Sequence, residues 1–237
     1  MQEFIGEFLG IILVLLGDGV VAGNVLKGTK EEGTGWTSIV LGWGIACTIA
    51  VYVAGLFSPA HLNPAVALAM ATTGALAWGK VALYLTAQFL GAMAAALLLW
   101  LHYYPHFKET KDAAAILGMF STAPALRHTP SNLLGEALGT AVLMMTVMAI
   151  GPNQVAAGFG PIIVGLVVLA VGFSLGPTTG YAINPARDLG PRIIHALLPI
   201  PNKGASDWGY AWIPVLGPIV GGTAGALIYQ LLLTHFL

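Results

Sequence analysis

The chain has 237 residues, of which 57% are hydrophobic and 8% charged, with nine Lys and Arg against ten Asp and Glu. Soluble domains are typically about 45–50% apolar and about 25% charged, so this chain lacks the polar surface of a dissolved globule and reads as an integral membrane protein. Its near-neutral balance offers no basic field for nucleic acid, and a single cysteine, Cys47, excludes an internal disulfide and a multi-cysteine metal site.

A helix needs roughly 20 apolar residues to cross about 30 Å of hydrocarbon. Six stretches answer that description: 4–25, 36–57, 78–101, 131–150, 158–175 and 212–233. They are expected to be helical, because a lone lipid-facing segment must satisfy its backbone internally. Runs such as Ile11-Ile12-Leu13-Val14-Leu15-Leu16 also lack the alternation of barrel strands. The first stretch has no basic start and carries Glu7 and Asp18, so it reads as a span and not a cleavable signal peptide. Polar residues collect between spans, over 27–35, 102–130 and 199–207. Asp18 is expected near the outer end of the first span, with no task that the sequence assigns.

The two halves repeat each other. Gly6-Glu7-Phe8-Leu9-Gly10 opens the first span, and Gly135-Glu136-Ala137-Leu138-Gly139 opens the fourth; Trp78 and Gly91 match Trp208 and Gly221; Asn63-Pro64-Ala65 matches Asn184-Pro185-Ala186. The order is the same throughout, so the chain reads as one domain over 1–237: repeat one at 1–101, a linking loop at 102–130 and repeat two at 131–237. An odd number of spans per repeat makes the second copy enter from the opposite side, giving an inverted pair. Glycines spaced by four, at Gly6 and Gly10, Gly135 and Gly139, and Gly217, Gly221 and Gly225, read as packing positions where helix backbones approach closely.

Each Asn-Pro-Ala reads as the start of a short helix. Asn63 and Asn184 suit the N-cap, and Pro64 and Pro185 suit the first helical position, where the missing N–H is no loss. The apolar stretch after Asn63 is about ten residues, too short to span. Inversion points the two N-termini at each other near the midplane, each with roughly half a positive charge. Converging positive ends repel cations and interrupt proton conduction, while Asn amides can still donate hydrogen bonds to a neutral solute.

These paired motifs, over essentially the whole chain, resemble the aquaporin superfamily. The resemblance implies an all-α membrane protein of six transmembrane helices plus two re-entrant half-helices, with one pore per subunit in a homotetramer and no cofactor or metal. Asp188 directly after Arg187, with Arg192 four residues on, is similar to the glycerol-facilitator branch, the aquaglyceroporins, as is Pro214. Phe120-Ser121-Thr122-Ala123-Pro124 is similar to a loop of that branch, which commonly has Tyr where this chain has Ala123. By position, the resemblance implies a selectivity filter of Trp43, Gly172, Tyr181 and Arg187, with Gly172 leaving the constriction wide where water-selective members tend to have His. Many members have Phe where this chain has Tyr181. Backbone carbonyls of Ala60, His61 and Leu62, and of Gly180, Tyr181 and Ala182, would accept hydrogen bonds along the path.

The residue chemistry suits a small polyol: Arg187 offers a rigid fork of donors to hydroxyls, while Trp43 and Tyr181 form an apolar corner for the carbon edge. An intramembrane Arg usually faces a wet cavity. Glu7 and Glu136, at equivalent repeat positions, admit a proton-relay reading, but the resemblance implies structural carboxylates that accept hydrogen bonds from the irregular pore segments. Asp188 is expected to brace loop backbone or Arg192, and His61 to hold its loop through the side chain. The expected function is passive conduction of glycerol, water and other small uncharged solutes across the lipid bilayer of the cell membrane, excluding ions and protons, with no enzymatic activity. The alternatives are a mainly water-conducting channel and an ion-coupled secondary transporter driven through Glu7, Glu136 or Asp188. Family resemblance implies cytoplasmic termini, whereas Lys27, Lys30, Lys108, Lys111, Arg127 and Lys203 would then lie outside, against the positive-inside rule.

Overall fold

The computed structural model describes residues 1–236; residue 237, the end of the expected second repeat, lies outside the described residues. The first span comprises α1 (Gln2–Val14) and α2 (Leu16–Val25), interrupted only at Leu15, where ψ is 4°. There follow α3 (Trp36–Ala54), α4 (Pro64–Thr72), α5 (Trp78–His102), α6 (Tyr104–Glu109), α7 (Ala113–Phe120), α8 (Thr129–Ile150), α9 (Gly160–Ser174), α10 (Pro185–Leu197) and α11 (Ile213–Phe236). The described residues contain no strand.

Among the described residues, five helical spans are long and apolar enough to cross a membrane, α1 and α2 together counting as one. The expected fifth span is shorter than read from the sequence: α9 has 15 residues, a rise of about 22 Å at 1.5 Å per residue. Its ends are set by backbone chemistry. Gly158 at φ +79° and Pro161 in the first turn fix the start, and the far end passes into a 3-10 turn, Gly176–Thr178, that contains Pro177.

The linking segment also differs from a plain polar loop. Asp112 caps α7 by accepting from Ala114 N at 2.9 Å and Ala115 N at 3.3 Å. Phe107 of α6 and Ile116, Met119 and Phe120 of α7 pack in a second core with Ala22, Leu26, Ala96 and Ile200. In the sequence, the charges of 102–130 mask this short apolar run.

The two halves interlock. The short helix α4 packs against α11 of the other half, and α10 packs against α5. Within each half the first and last long helices meet in the same way, α1 on α5 and α8 on α11. The contact depends on equivalent glycines: a Cβ at Gly91 would stand 2.5 Å from Phe8 O, and one at Gly221 would stand 1.9 Å from Ala137 O. Both obstacles are backbone, so neither can swing away. Gly135 departs from the packing expectation, because a Cβ there would meet only Thr178 and Thr179 side-chain atoms at an ordinary 3.6 Å.

Gly221→Ala is therefore expected to lower stability by at least ~1–3 kcal/mol, the usual overpacking range, while Gly135→Ala has little effect. Thermal unfolding of the detergent-solubilised variants, followed by loss of the monodisperse species, checks the difference.

Candidate functional site

Two irregular segments, 58–63 and 179–184, precede the short helices α4 and α10, and both hold non-glycine residues in the left-handed region. Ala60 has φ +53° and Leu62 +52°; Tyr181 has φ +37° and Ile183 +42°. Each such residue costs about 1–3 kcal/mol and persists only when its surroundings over-determine it. The determinant is a buried carboxylate behind each segment. Glu7 accepts from His61 N at 2.9 Å and Leu62 N at 2.7 Å; Glu136 accepts from Ala182 N at 3.0 Å and Ile183 N at 2.8 Å. Glu7 takes two further bonds, from Ser58 Oγ at 2.8 Å and Gln88 Nε2 at 2.7 Å.

These amides dictate where the carbonyls point. In a trans peptide the N–H and the preceding C=O are antiparallel, and no peptide bond in the chain is cis among the described residues. Amides aimed at Glu7 therefore turn the carbonyls of Ala60 and His61 the opposite way, and amides aimed at Glu136 turn those of Tyr181 and Ala182. All four residues line a cavity of about 480 Å³. Leu62 lines the same cavity, and its carbonyl also accepts from Asn184 Nδ2 at 2.8 Å. Gly180 does not line this cavity and backs onto Thr122, where a Cβ would meet side-chain atoms at 3.1 Å.

The two asparagines cap and cross-link at once. Asn63 Oδ1 accepts from Ala65 N at 2.9 Å, and Asn184 Oδ1 from Ala186 N at 3.1 Å and Arg187 N at 3.3 Å. Reciprocally, Asn63 Nδ2 donates to Ile183 O at 2.7 Å, mirroring the bond from Asn184 to Leu62. A side-chain amide has two N–H donors, so each Asn retains one beside the cavity. Pro64, Ala65, Pro185 and Ala186 are buried in the first turns of α4 and α10 and hold the caps in place.

Trp43, Tyr181 and Arg187 also meet at the cavity. The Arg187 guanidinium lies over the Trp43 ring, 4.3 Å from its centroid, and its Nη1 takes no partner among the described residues. Gly172 acts differently from the expectation that it simply leaves space. A Cβ there would stand 2.9 Å from Tyr181 Cζ and 3.0 Å from its hydroxyl, so the tyrosine ring occupies the room the glycine provides. Trp36, which in the sequence marks only the start of a span, steadies this corner. Its Nε1 donates to Gly172 O at 3.1 Å, and its ring meets Tyr181 edge-on with centroids 5.6 Å apart.

Asp188 braces both expected partners. It accepts from Thr122 N and Oγ1, each at 2.7 Å, and from Arg192 Nε at 3.0 Å and Nη2 at 2.8 Å. Arg192 donates onward to Ser206 O at 2.8 Å and to Thr122 O at 2.9 Å, tying two loops to α10. His61 does not hold its loop through the imidazole, whose Nδ1 is without a partner among the described residues and whose ring packs on Tyr84 at 5.1 Å; its backbone amide does that work. Asp18 is buried, at 1% exposure, with Oδ1 3.5 Å from Arg187 Nη2.

Because Gln replaces one acceptor oxygen with a donor, Glu7→Gln and Glu136→Gln should each lower stability, by roughly 1.5–3 kcal/mol per charge-assisted bond lost. Glu7→Gln should be the more damaging, having four bonds to disturb, and paired thermal melts check the order.

Comparisons with known proteins agree with this geometry. The family described as MIP, major intrinsic protein, matches residues 1–229. The chain is 54% identical to glycerol uptake facilitator protein 3 of Lactiplantibacillus plantarum over 97% of its own length and 96% of that protein. It is 51% identical to the glycerol uptake facilitator protein of Bacillus subtilis over 97% of this chain and 84% of the other. Among solved structures, the aquaglyceroporin from Plasmodium falciparum superposes with a TM-score of 0.83 at 28% identity, covering 97% of this chain and 95% of that one. Matched along nearly its whole length in sequence and in fold, the chain belongs to the major intrinsic protein family.

Proposed function

We propose that the chain is a passive channel that conducts glycerol, other small uncharged solutes and water, and refuses ions and protons. The observation that carries this reading is the meeting, at one cavity, of two Asn-capped helix N-termini and of four carbonyls turned away from Glu7 and Glu136. A polyol presents a hydroxyl edge and a C–H edge. Arg187, the free Asn N–H groups and the carbonyls of Ala60, His61, Tyr181 and Ala182 suit the first; Trp43 and Tyr181 suit the second. The relatives named as glycerol uptake facilitators point to the same solute.

Four such chains assemble into a homotetramer in the cell membrane, each a single channel domain built from the two repeats, with both termini cytoplasmic. Two of the loop cations that run against the positive-inside rule carry acidic partners, although that rule gives acids little weight. Lys27 pairs with Glu32 at 2.6 Å, and Arg127 with Asp207 at 2.5 Å. The hydrogen bond to Glu32 holds Lys27 above its ordinary pKa, and the same bond holds Glu32 below its own.

Purified protein in lipid vesicles should admit glycerol much faster than empty lipid does, as read by stopped-flow light scattering, and imposed proton or sodium gradients should not drive uptake. Entry at the empty-lipid rate contradicts the reading, and gradient-driven accumulation replaces it with a coupled transporter. Gly172→Ala should press on Tyr181 and Val40 and reduce glycerol entry about tenfold, the rate equivalent of ~1.4 kcal/mol, with a smaller loss of water flux. In a Cys47→Ser background, the exposed Ala123→Cys should react with an impermeant maleimide added to intact cells; protection there with labelling only after lysis reverses the orientation.

A further inference from the structure

Asp18 is an intramembrane carboxylate to which solute conduction itself gives no task. It is 1% exposed on α2, and neither of its oxygens takes a hydrogen bond from any described residue. Charged groups at this depth are expensive and are almost always paired or functional. The facing charge is Arg187, whose Nη2 is 3.5 Å from Asp18 Oδ1.

Geometry on both sides of the pair is specific. A Cβ on the preceding residue, Gly17, would stand 2.3 Å from Trp43 Cδ2, so the indole lies directly on the α2 backbone. On the indole's ring lies the Arg187 guanidinium. Arg187 and Trp43 line the cavity, while Asp18 does not; the carboxylate therefore reaches Arg187 from outside the solute path. The other acid near this arginine, Asp188, has both oxygens engaged by Thr122 and Arg192. These four buried ionisable side chains thus sort into two pairs, Asp188 with Arg192 and Asp18 with Arg187.

We propose that Asp18 is the counter-charge of Arg187, a positioning residue that makes the constriction electrically neutral so that it refuses anions as well as cations. Arg and Lys side chains lining a pore favour anions, and opposite charges this close inside a low-dielectric wall are strongly coupled. With Asp18 in place, Arg187 keeps its donors for a neutral solute without offering a net positive well.

This inference rests on the channel reading, and the two are tested by different signals. Wild-type protein, Asp18→Asn, Asp18→Ser and Arg187→Val are reconstituted separately, and each is read for glycerol entry, chloride leak and potassium leak. Wild-type glycerol entry tests the channel reading alone. Asp18→Asn, or Asp18→Ser where the amide does not fold, should raise chloride leak about tenfold, equal to ~1.4 kcal/mol of barrier, without raising potassium leak, while glycerol entry stays above empty lipid. Arg187→Val leaves the carboxylate uncompensated and should raise potassium leak. Loss of packing alone would raise both leaks together. The proposal is overturned by a folded Asp18 variant with wild-type chloride leak, by an equal rise in both ions, or by an Arg187→Val variant that holds potassium as tightly as wild type.

Discussion

The rest of the structure depends on two buried carboxylates that each hold a strained stretch of backbone. Left-handed φ angles at Ala60, Leu62, Tyr181 and Ile183 are states these residues would leave if released. Glu7 and Glu136 remove that freedom by accepting consecutive amides, His61 and Leu62 in one half and Ala182 and Ile183 in the other. Charge-assisted bonds of about 1.5–3 kcal/mol each are of the size needed to offset the strain. The arrangement converts a scaffold interaction into a functional one, because amides fixed toward the scaffold leave carbonyls fixed toward the cavity. Irregular backbone at membrane depth is tolerable in this position, lining a cavity and satisfied from behind.

The same economy appears at the centre, where each Asn performs three tasks. It caps its own helix through Oδ1, binds the opposite segment through one N–H, and keeps the other N–H beside the cavity. The cross-links join residues about 120 positions apart, so the relative placement of the two helix N-termini is set by direct bonds. Their dipoles then act on the same short stretch of path. Interlocked packing of α4 on α11 and α10 on α5 makes each half of the chain a wall for the other.

Much of this was legible in the sequence because it rests on local grammar repeated twice. Asn-Pro-Ala states a helix start in three residues, and the duplication of Glu7 as Glu136 announces a shared structural task. What escaped reading has no local signal. Asp18 looks like an ordinary polar residue between two glycines, and only the fold brings it to Arg187, 169 positions away. Trp36 of α3 meets Gly172 of α9 and Tyr181 of the irregular segment, both far away in sequence. Gly172 shows in sequence only the absence of a side chain, whereas its effect depends on which ring fills that absence. The helices α6 and α7 are hidden by flanking charges, and α9 is two residues shorter at its start and one at its end than the apolar run that contains it.

The central claim is that carbonyls held by Glu7 and Glu136, together with Arg187 and the two Asn amides, form the route of a neutral polyol. A high-resolution crystal structure of the protein equilibrated with glycerol tests it most directly. The expected result is glycerol in the cavity with its hydroxyls on Arg187, Asn63, Asn184 and the carbonyls of Ala60, His61, Tyr181 and Ala182, and with its C–H edge toward Trp43 and Tyr181. Glycerol bound elsewhere, or in the cavity with its hydroxyls turned from these groups, would contradict the account.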